Sequence, residues 1–237
     1  MKNTKQKKQI LKGKIQTIKK IAKDTFKLEI NSDLQKIKAG QFISILCPNK
    51  TLRRPFSVAD FNNGMITVYF KLKGDGTKYL SNLKKEDEIN FIAPLGNGFT
   101  IENKNSLLIG AGIGIAPMLF LKKELNQKNI KNYLITGFKE NNEVIQGSDE
   151  NVIGGSVLDN LDELIKKQNP QIIYSCGPKI VLKKVSEIAK KYNIQSQLAL
   201  EKVMACSIGV CRGCVIKLMK NNEEIMASVC QDGPVFE

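Results

Sequence analysis

Between Lys12 and Ile92 the apolar residues come in short runs that alternate with polar ones. Phe26, Leu28 and Ile30 share one face, and Ile66, Val68 and Phe70 share another. A period of two puts every second side chain on the same side of an extended chain, so these runs predict half-buried β-strands. Turn residues punctuate them at Asn31-Ser32-Asp33, at Ala39-Gly40 and at Asn62-Asn63-Gly64. The last is Asn-Gly between two apolar runs, which predicts a tight hairpin. About six strands without a long helix between them predict a small antiparallel β barrel over residues 10–100. It closes in the Pro/Gly-rich crossing segment Ala93 to Phe99.

Beyond that segment the period changes. Leu107-Leu108-Ile109 predicts a short buried strand, followed by a glycine turn from Gly110 to Pro117 and a helix with Met118, Leu119, Leu121 and Leu125 apolar. Tyr133-Leu134-Ile135-Thr136 and Ile172-Ile173-Tyr174-Ser175 predict further buried strands, with helices over Val157 to Lys167 and Pro178 to Tyr192. Strands alternating with helices predict an α/β domain over 101–198, built on a parallel sheet whose ligand lies at the carboxyl ends of the strands. A third segment, 199–237, is too short for a comparable core and predicts a small lobe.

Composition narrows the chemistry. The 237 residues are 42% hydrophobic and contain no histidine. Rieske-type ligation, histidine-bearing zinc sites and Ser-His-Asp catalysis are thereby excluded. The net charge is +14, but the lysines are scattered and mixed with asparagine, with no basic block interleaved with aromatics. This reads as a solvated surface, with no nucleic acid as partner. No apolar run approaches the roughly 18 residues of a membrane span, so no membrane partner is expected. The start, Met1 to Lys8, is charged and lacks the apolar stretch of a secretion signal, which predicts a cytoplasmic, reducing location.

Four segments carry candidate chemistry. Cys206, Cys211 and Cys214 follow a C-x4-C-x2-C spacing, and Cys230 comes after fifteen further residues. That is the spacing of plant-type [2Fe–2S] loops, where three thiolates wrap a two-iron core and a distal fourth completes the set. Gly209 and Gly213 suit such a wrap, since neither carries a Cβ. A zinc site with four thiolates, disulfides or unrelated buried cysteines answer the same count, although zinc usually draws on two C-x2-4-C knuckles and only one is present. Arg54, Phe56 and Ser57, in Arg54-Pro55-Phe56-Ser57, put a guanidinium, a ring and a hydroxyl within reach of one extended ligand, and a guanidinium fork suits a diphosphate. Lys71 to Thr77, with Gly74, Gly76 and Thr77, offers a backbone N–H concavity of the kind that holds phosphate. Gly110, Gly112 and Gly114 with Pro117 form a strand-to-helix turn aimed at a pyrophosphate, off the usual G-x-G-x-x-G pattern. Cys176-Gly177-Pro178 ends another strand directly before a helix. Taken alone, the Arg54 and Gly74 segments also read as a strand start and a turn, and Cys176 as a small buried residue.

In this order the motifs resemble the ferredoxin–NADP reductase superfamily. Within it, Pro94-Leu95-Gly96-Asn97-Gly98-Phe99, Glu201 to Cys206 and Cys230 to Phe236 resemble the electron-transfer subunits of class 1B dihydroorotate dehydrogenases. The resemblance runs from about Lys12 to Phe236. It implies an FAD-binding barrel, an NAD-binding domain and a [2Fe–2S] lobe held by Cys206, Cys211, Cys214 and Cys230. Arg54 would bond the FAD phosphates, Ser57 would meet the isoalloxazine edge, and Gly76 and Thr77 would cradle the diphosphate. Gly110, Gly112 and Gly114 would approach NAD, with Cys176 near the nicotinamide. It further implies an FMN-containing dihydroorotate dehydrogenase catalytic subunit as partner, in a heterotetramer, with no general base for dihydroorotate on this chain. A diaphorase subunit of a sulfide dehydrogenase, hydrogenase or ferredoxin–NADP transhydrogenase would share the same domains. Ser207 departs from the resembled family, which tends to have glycine or alanine there. Ile208, Val210 and Arg212 are expected to be exposed beside the cluster, as a patch for the partner.

Overall fold

The computed structural model describes residues 7–48, 50–220 and 223–237. The charged start, read from Met1 to Lys8, therefore lies mostly outside the described residues. Six strands form the first domain: β1 (Gln9–Ala22), β2 (Thr25–Ser32), β3 (Phe42–Ile45), β4 (Arg54–Asn62), β5 (Met65–Lys71) and β6 (Glu88–Leu95). They close into a barrel in the order β1-β2-β5-β4-β3-β6, with every pairing antiparallel. Alternation put the right faces inward: Leu28, Ile30, Ile66 and Val68 are fully buried, and half-buried Phe26 stacks on buried Phe70 at 5.7 Å.

The hairpin forms where Asn-Gly stands. Asn63 and Gly64 both take positive φ, 45° and 84°, and join Asn62 to Met65. A Cβ on Gly64 would lie 2.3 Å from the Ser32 carbonyl oxygen, so the turn requires glycine. One element interrupts the barrel unannounced by periodicity, the seven-residue helix α1 (Asp75–Ser81). It is too short to show a helical period, and it lies where an open concavity was expected.

The second domain is a six-stranded sheet of order β14-β11-β10-β7-β8-β9, in which β14 (Val235–Phe236) comes from the end of the chain. β7 (Ser106–Ala111), β8 (Asn132–Phe138), β9 (Glu150–Ile153), β10 (Ile172–Cys176) and β11 (Gln195–Ala199) run parallel. Helix α2 (Ile115–Gln127) covers one face, with Met118, Leu121 and Leu125 packed on Leu108, Leu134 and Tyr174. Helices α3 (Leu161–Gln168) and α4 (Lys179–Lys191) cover the other, over Leu107, Ile109 and Ile173. The helix expected from Val157 begins only at Leu161. Asp159 accepts the Ser156 N–H at 2.7 Å and donates its own N–H to the Ser156 carbonyl, so a side-chain-capped turn fills the gap.

The third segment holds a two-stranded ribbon, β12 (Val215–Lys220) with β13 (Glu223–Ser228). The chain then returns: β14 (Val235–Phe236) adds antiparallel to β11. The small lobe is thus stitched at its end into the second domain's sheet. The Asn97 side chain reinforces this by donating to the Asp232 and Val235 carbonyls and accepting the Val235 N–H at 3.0 Å.

The barrel and sheet share one apolar core, since α2 packs against β4. Ion pairs line the seam: Lys71–Glu143 at 2.8 Å, Lys23–Glu140 at 2.8 Å and Lys123–Asp60 at 2.6 Å.

Candidate functional site

A cleft of about 270 Å³ opens where the barrel, the sheet and the start of the third segment meet. From the barrel come Pro55, Phe56 and Ser57 on β4, with Lys71 and Thr77; from the sheet come Gly114, Pro117 and Cys176; from the third segment come Glu201, Lys202 and Met204. The topology explains the convergence. β7 and β10 are parallel neighbours with Cys176 opposite Gly110, so the glycine turn and Cys176-Gly177-Pro178 leave the same sheet edge. The two turns pack directly together: a Cβ on Gly114 would fall 2.3 Å from the Cys176 carbonyl oxygen. Gly112 takes a positive φ of 56°, and Pro117 lies in the first turn of α2. Burial pushes the Cys176 thiol up, helped by the Glu201 charge, so it stays neutral at physiological pH and is no thiolate nucleophile.

The other expected residues take more specific places. Arg54 lies beside the cleft lining; its guanidinium donates to the Leu52 carbonyl, and its side chain touches Gly76, where a Cβ would meet Nε at 2.9 Å. The Thr77 hydroxyl accepts the N–H groups of Lys73 and Gly74 at 2.9 and 3.2 Å, which caps α1 and uses two donors of the expected concavity. Lys71 is committed to Glu143, an ion pair that holds the loop after β8 against the barrel. The sequence reading missed Phe42, Tyr69, Leu200 and Pro234 on the cleft wall. Phe42 belongs to a strand buried at all four positions, which shows no alternation to mark one side chain as facing a site. A larger concavity of about 450 Å³, bounded by Ile165, Asn169, Gln171 and Tyr192, lies at the amino ends of β10 and β11. Open α/β sheets bind ligands at the opposite edge, so the smaller cleft is the candidate.

The cysteine loop lies beyond Met204. Cys206 is half-buried, Cys211 exposed, and Cys214 and Cys230 buried; all six cysteines of the chain are free thiols, which removes the disulfide reading. The Cys211 N–H donates to Cys206 Sγ at 3.3 Å, and the Cys230 N–H to Cys214 Sγ at 3.4 Å. Burial alone would raise the Cys206 thiol, but N–H donors from Cys211, Ile208 and Val210 outweigh it and bring the group down to about 6. Burial and the neighbouring Cys214 push Cys230 up to about 12. Positive φ values let the loop wrap, at Ser207 (60°), Gly209 (95°) and Arg212 (55°); Gly213 does not share them. The four thiols form two neighbouring pairs, 206 with 211 and 214 with 230. A two-iron cluster takes two thiolates on each iron, and the all-thiolate set, with 206 beside 211 and 214 beside 230, fits that group.

Exposure around the loop corrects one expectation. Val210 (75%) and Arg212 are exposed, but Ile208 is half-buried and packs with Phe42, Cys214 and Val229. Val203 (86%) and Met219 (70%) on the same lobe are exposed instead.

Known proteins place this arrangement. Residues 201–237 match the family model of the iron–sulfur cluster binding domain of dihydroorotate dehydrogenase B. This chain is 37% identical over 240 residues to the electron transfer subunit of dihydroorotate dehydrogenase B (NAD(+)) from Caldanaerobacter subterraneus subsp. tengcongensis, covering 95% of this chain and 96% of that one. The chain belongs to that family. The Clostridium perfringens electron transfer subunit is 34% identical, with 95% of each chain covered. Among solved structures, an NADH-dependent reduced ferredoxin–NADP oxidoreductase superposes with a TM-score of 0.80 at 28% identity, over 94% of this chain and 87% of that one. Phthalate dioxygenase reductase shares the fold, with a TM-score of 0.68 at 17% identity over 92% of this chain and 76% of that one. The expected barrel, α/β domain and cysteine lobe are therefore the architecture of an oxidoreductase family. Among the described residues no helix is long and apolar enough to cross a membrane.

Proposed function

We propose that this chain passes electrons between a [2Fe–2S] cluster on Cys206, Cys211, Cys214 and Cys230, an FAD in the cleft, and NAD, as the electron-transfer subunit of a cytoplasmic dihydroorotate dehydrogenase of pyrimidine biosynthesis. The observation that carries this is one cleft whose wall holds Pro55, Phe56 and Ser57 of the barrel, Gly114 and Pro117 of the glycine turn, and Met204, two residues before the first cysteine of the loop. A nicotinamide gives or takes a hydride and an iron–sulfur cluster one electron, so the flavin between them supplies the conversion. This chain's residues bind and orient. Arg54, packed over Gly76, would offer its guanidinium to the flavin diphosphate, and Phe56 and Ser57 on β4 would face the ring system. Gly112, whose missing Cβ leaves open space, lets the dinucleotide backbone approach, while Gly110 and Gly114 close the turn onto Ile115 and the Cys176 carbonyl, with Cys176 as a neutral, buried wall at the nicotinamide end. The domains assigned to these roles are 10–100, 101–198 and 199–237, the last closing on the sheet through β14.

The partner is an FMN-containing dihydroorotate dehydrogenase catalytic subunit, assembled with this chain as a heterotetramer. Exposed Cys211 stands between exposed Val210 and Arg212, and Val203 and Met219 are exposed elsewhere on the same lobe, a mix of apolar side chains with one guanidinium that suits an interface. Co-expression with such a subunit is expected to give a complex containing FMN, FAD, iron and sulfide that reduces NAD with dihydroorotate. Arg212→Glu should weaken assembly and that reaction while leaving NADH oxidation by a flavin-directed dye intact. A second reading follows from the 0.80 superposition on the NADH-dependent ferredoxin–NADP oxidoreductase, that of a diaphorase subunit serving a different partner. A chain that ignores the FMN subunit at micromolar concentration yet reduces ferredoxin with NAD(P)H would establish it.

A further inference from the structure

Ser207 occupies a left-handed backbone position, φ 60°, where a residue with a Cβ is strained and glycine is not. Its side chain is buried, and its Oγ lies 3.1 Å from the Oγ of Ser44, which is fully buried as well. Ser44 belongs to β3 of the barrel and stands opposite Pro55 in the β3–β4 ladder, inside the Arg54–Ser57 segment. The Ser44 carbonyl in turn accepts from the Arg53 guanidinium at 3.4 Å. One residue beyond Ser207, the Ile208 carbonyl accepts from Lys8 Nζ at 2.7 Å, so a residue just ahead of β1 grips the same turn of the loop.

We propose that the Ser44–Ser207 hydroxyl pair is a positioning tether, which fixes the cysteine loop on the barrel and so sets the separation between the cluster and the flavin. The inference rests on the cofactor assignment of the proposed function and adds a residue pair to it. Three features distinguish the pair from incidental packing. Both hydroxyls are buried, so bulk water does not compete for the bond. It joins the loop to the strand paired with the flavin segment, not to a peripheral one. The lobe also has little apolar core of its own to fix its place: the buried cluster beneath it comprises Phe42 and Leu95 from the barrel with Cys214, Val229 and Cys230. A serine hydroxyl that reaches across to β3 offsets the strain of its backbone, whereas an alanine at 207 would keep the strain and lose the bond.

The test uses the full chain with its cofactors bound. Ser207→Gly removes the hydroxyl while keeping the backbone conformation at ease, and Ser44→Ala removes the other half and leaves the loop sequence untouched. Each variant is mixed with NADH in a stopped-flow instrument. NADH is oxidised to NAD(+) as its hydride carries two electrons to the flavin, and one of those electrons then reduces one ferric iron of the cluster. Loss of flavin absorbance should keep its parental rate, and loss of iron–sulfur absorbance should slow severalfold in both variants. The double variant should be no slower than either single one, because both break the same bond. Amide hydrogen exchange at residues 206–212 should speed up in parallel. Parental cluster reduction and exchange in both variants would overturn the tether, as would effects that add in full. A parent chain without iron and sulfide would overturn the cofactor assignment itself, and the tether with it.

Discussion

The body of the molecule and its cysteine lobe are held together by different physics. In the barrel and sheet, Ile15, Leu28, Ile43, Val68, Phe91, Leu108, Met118 and Tyr174 belong to one continuous apolar cluster. In the lobe, the buried cluster has five members: two belong to the barrel, two are candidate ligands, and Val229 is the lobe's own, with Met204, Ile208, Ile216 and Phe236 half-buried against it. At roughly 1.5–3 kcal/mol for each large apolar side chain fully buried, hydrophobic burial holds the body far more strongly than the lobe. What remains for the lobe is its ligand set, the hydroxyl and lysine contacts to the barrel, and the return of β14 to the sheet. A segment whose order depends on thiolates is expected to gain its fold from the metal it binds.

The largest effect should come from breaking that dependence. Cys211→Ser removes one thiolate from the exposed corner of the loop. The iron–sulfur absorbance should disappear while flavin absorbance and the circular dichroism of the barrel persist. Amide exchange should rise toward the unprotected limit across 206–220 and stay parental in β1 to β6. Equal iron and sulfide in variant and parent would remove Cys211 from the ligand set. Collapse of the flavin site along with the cluster would erase the contrast between the two regions.

The same contrast decided how much of the molecule was legible in its sequence. Strands β2 and β5 announced themselves because one face is buried and one is not, and the β4–β5 hairpin because Asn63 and Gly64 both need positive φ. The cysteines announced themselves because a cluster fixes the spacing of its ligands. Elements defined by tertiary context left no local mark. β9 is an edge strand exposed at three of its four positions, and β14 is two residues long, a strand only because β11 lies beside it. Phe42, Leu200 and Pro234 reach the cleft from three distant segments, so no spacing rule joins them. The loop's left-handed positions were expected at its glycines; of these Gly209 has one and Gly213 does not, while Ser207 and Arg212 do. At Ser207 a specific side-chain contact overrides local preference.

A second test acts on the body alone. Arg54→Ala removes the guanidinium braced by Gly76, and a charge-assisted phosphate contact is worth about 1.5–3 kcal/mol. Flavin affinity should therefore fall about ten- to hundredfold, measured by fluorescence titration of the deflavinated chain. Because the apolar core is untouched, the far-ultraviolet spectrum and the cluster absorbance should not change. Unaltered affinity would take Arg54 out of the cofactor site and leave Phe56 and Ser57 as its barrel wall.

The smallest effect concerns the seam inside the body, where charge supplements burial. Glu143 accepts from Lys71 at 2.8 Å, and that hydrogen bond, with the Lys71 charge, holds its carboxyl below the ordinary value of 4.5. A carboxyl lowered in the folded state stabilises that state above its unfolded value, and the contribution disappears as pH falls through the folded one. Both partners are partly open to solvent, so the bridge is worth only about 0.5–1 kcal/mol. Glu143→Gln should lower the melting temperature by about 1–4 °C at neutral pH. The gap between variant and parent should close on acidification below the lowered carboxyl value, where the parental side chain is neutral too. A gap that persists there would mean that Glu143 acts through the shape of the loop after β8 and not through its charge. A gap that widens would reverse the sign of the shift, and with it the division of labour in which apolar packing carries the body and a seam of lysine–carboxylate pairs trims its two halves into register.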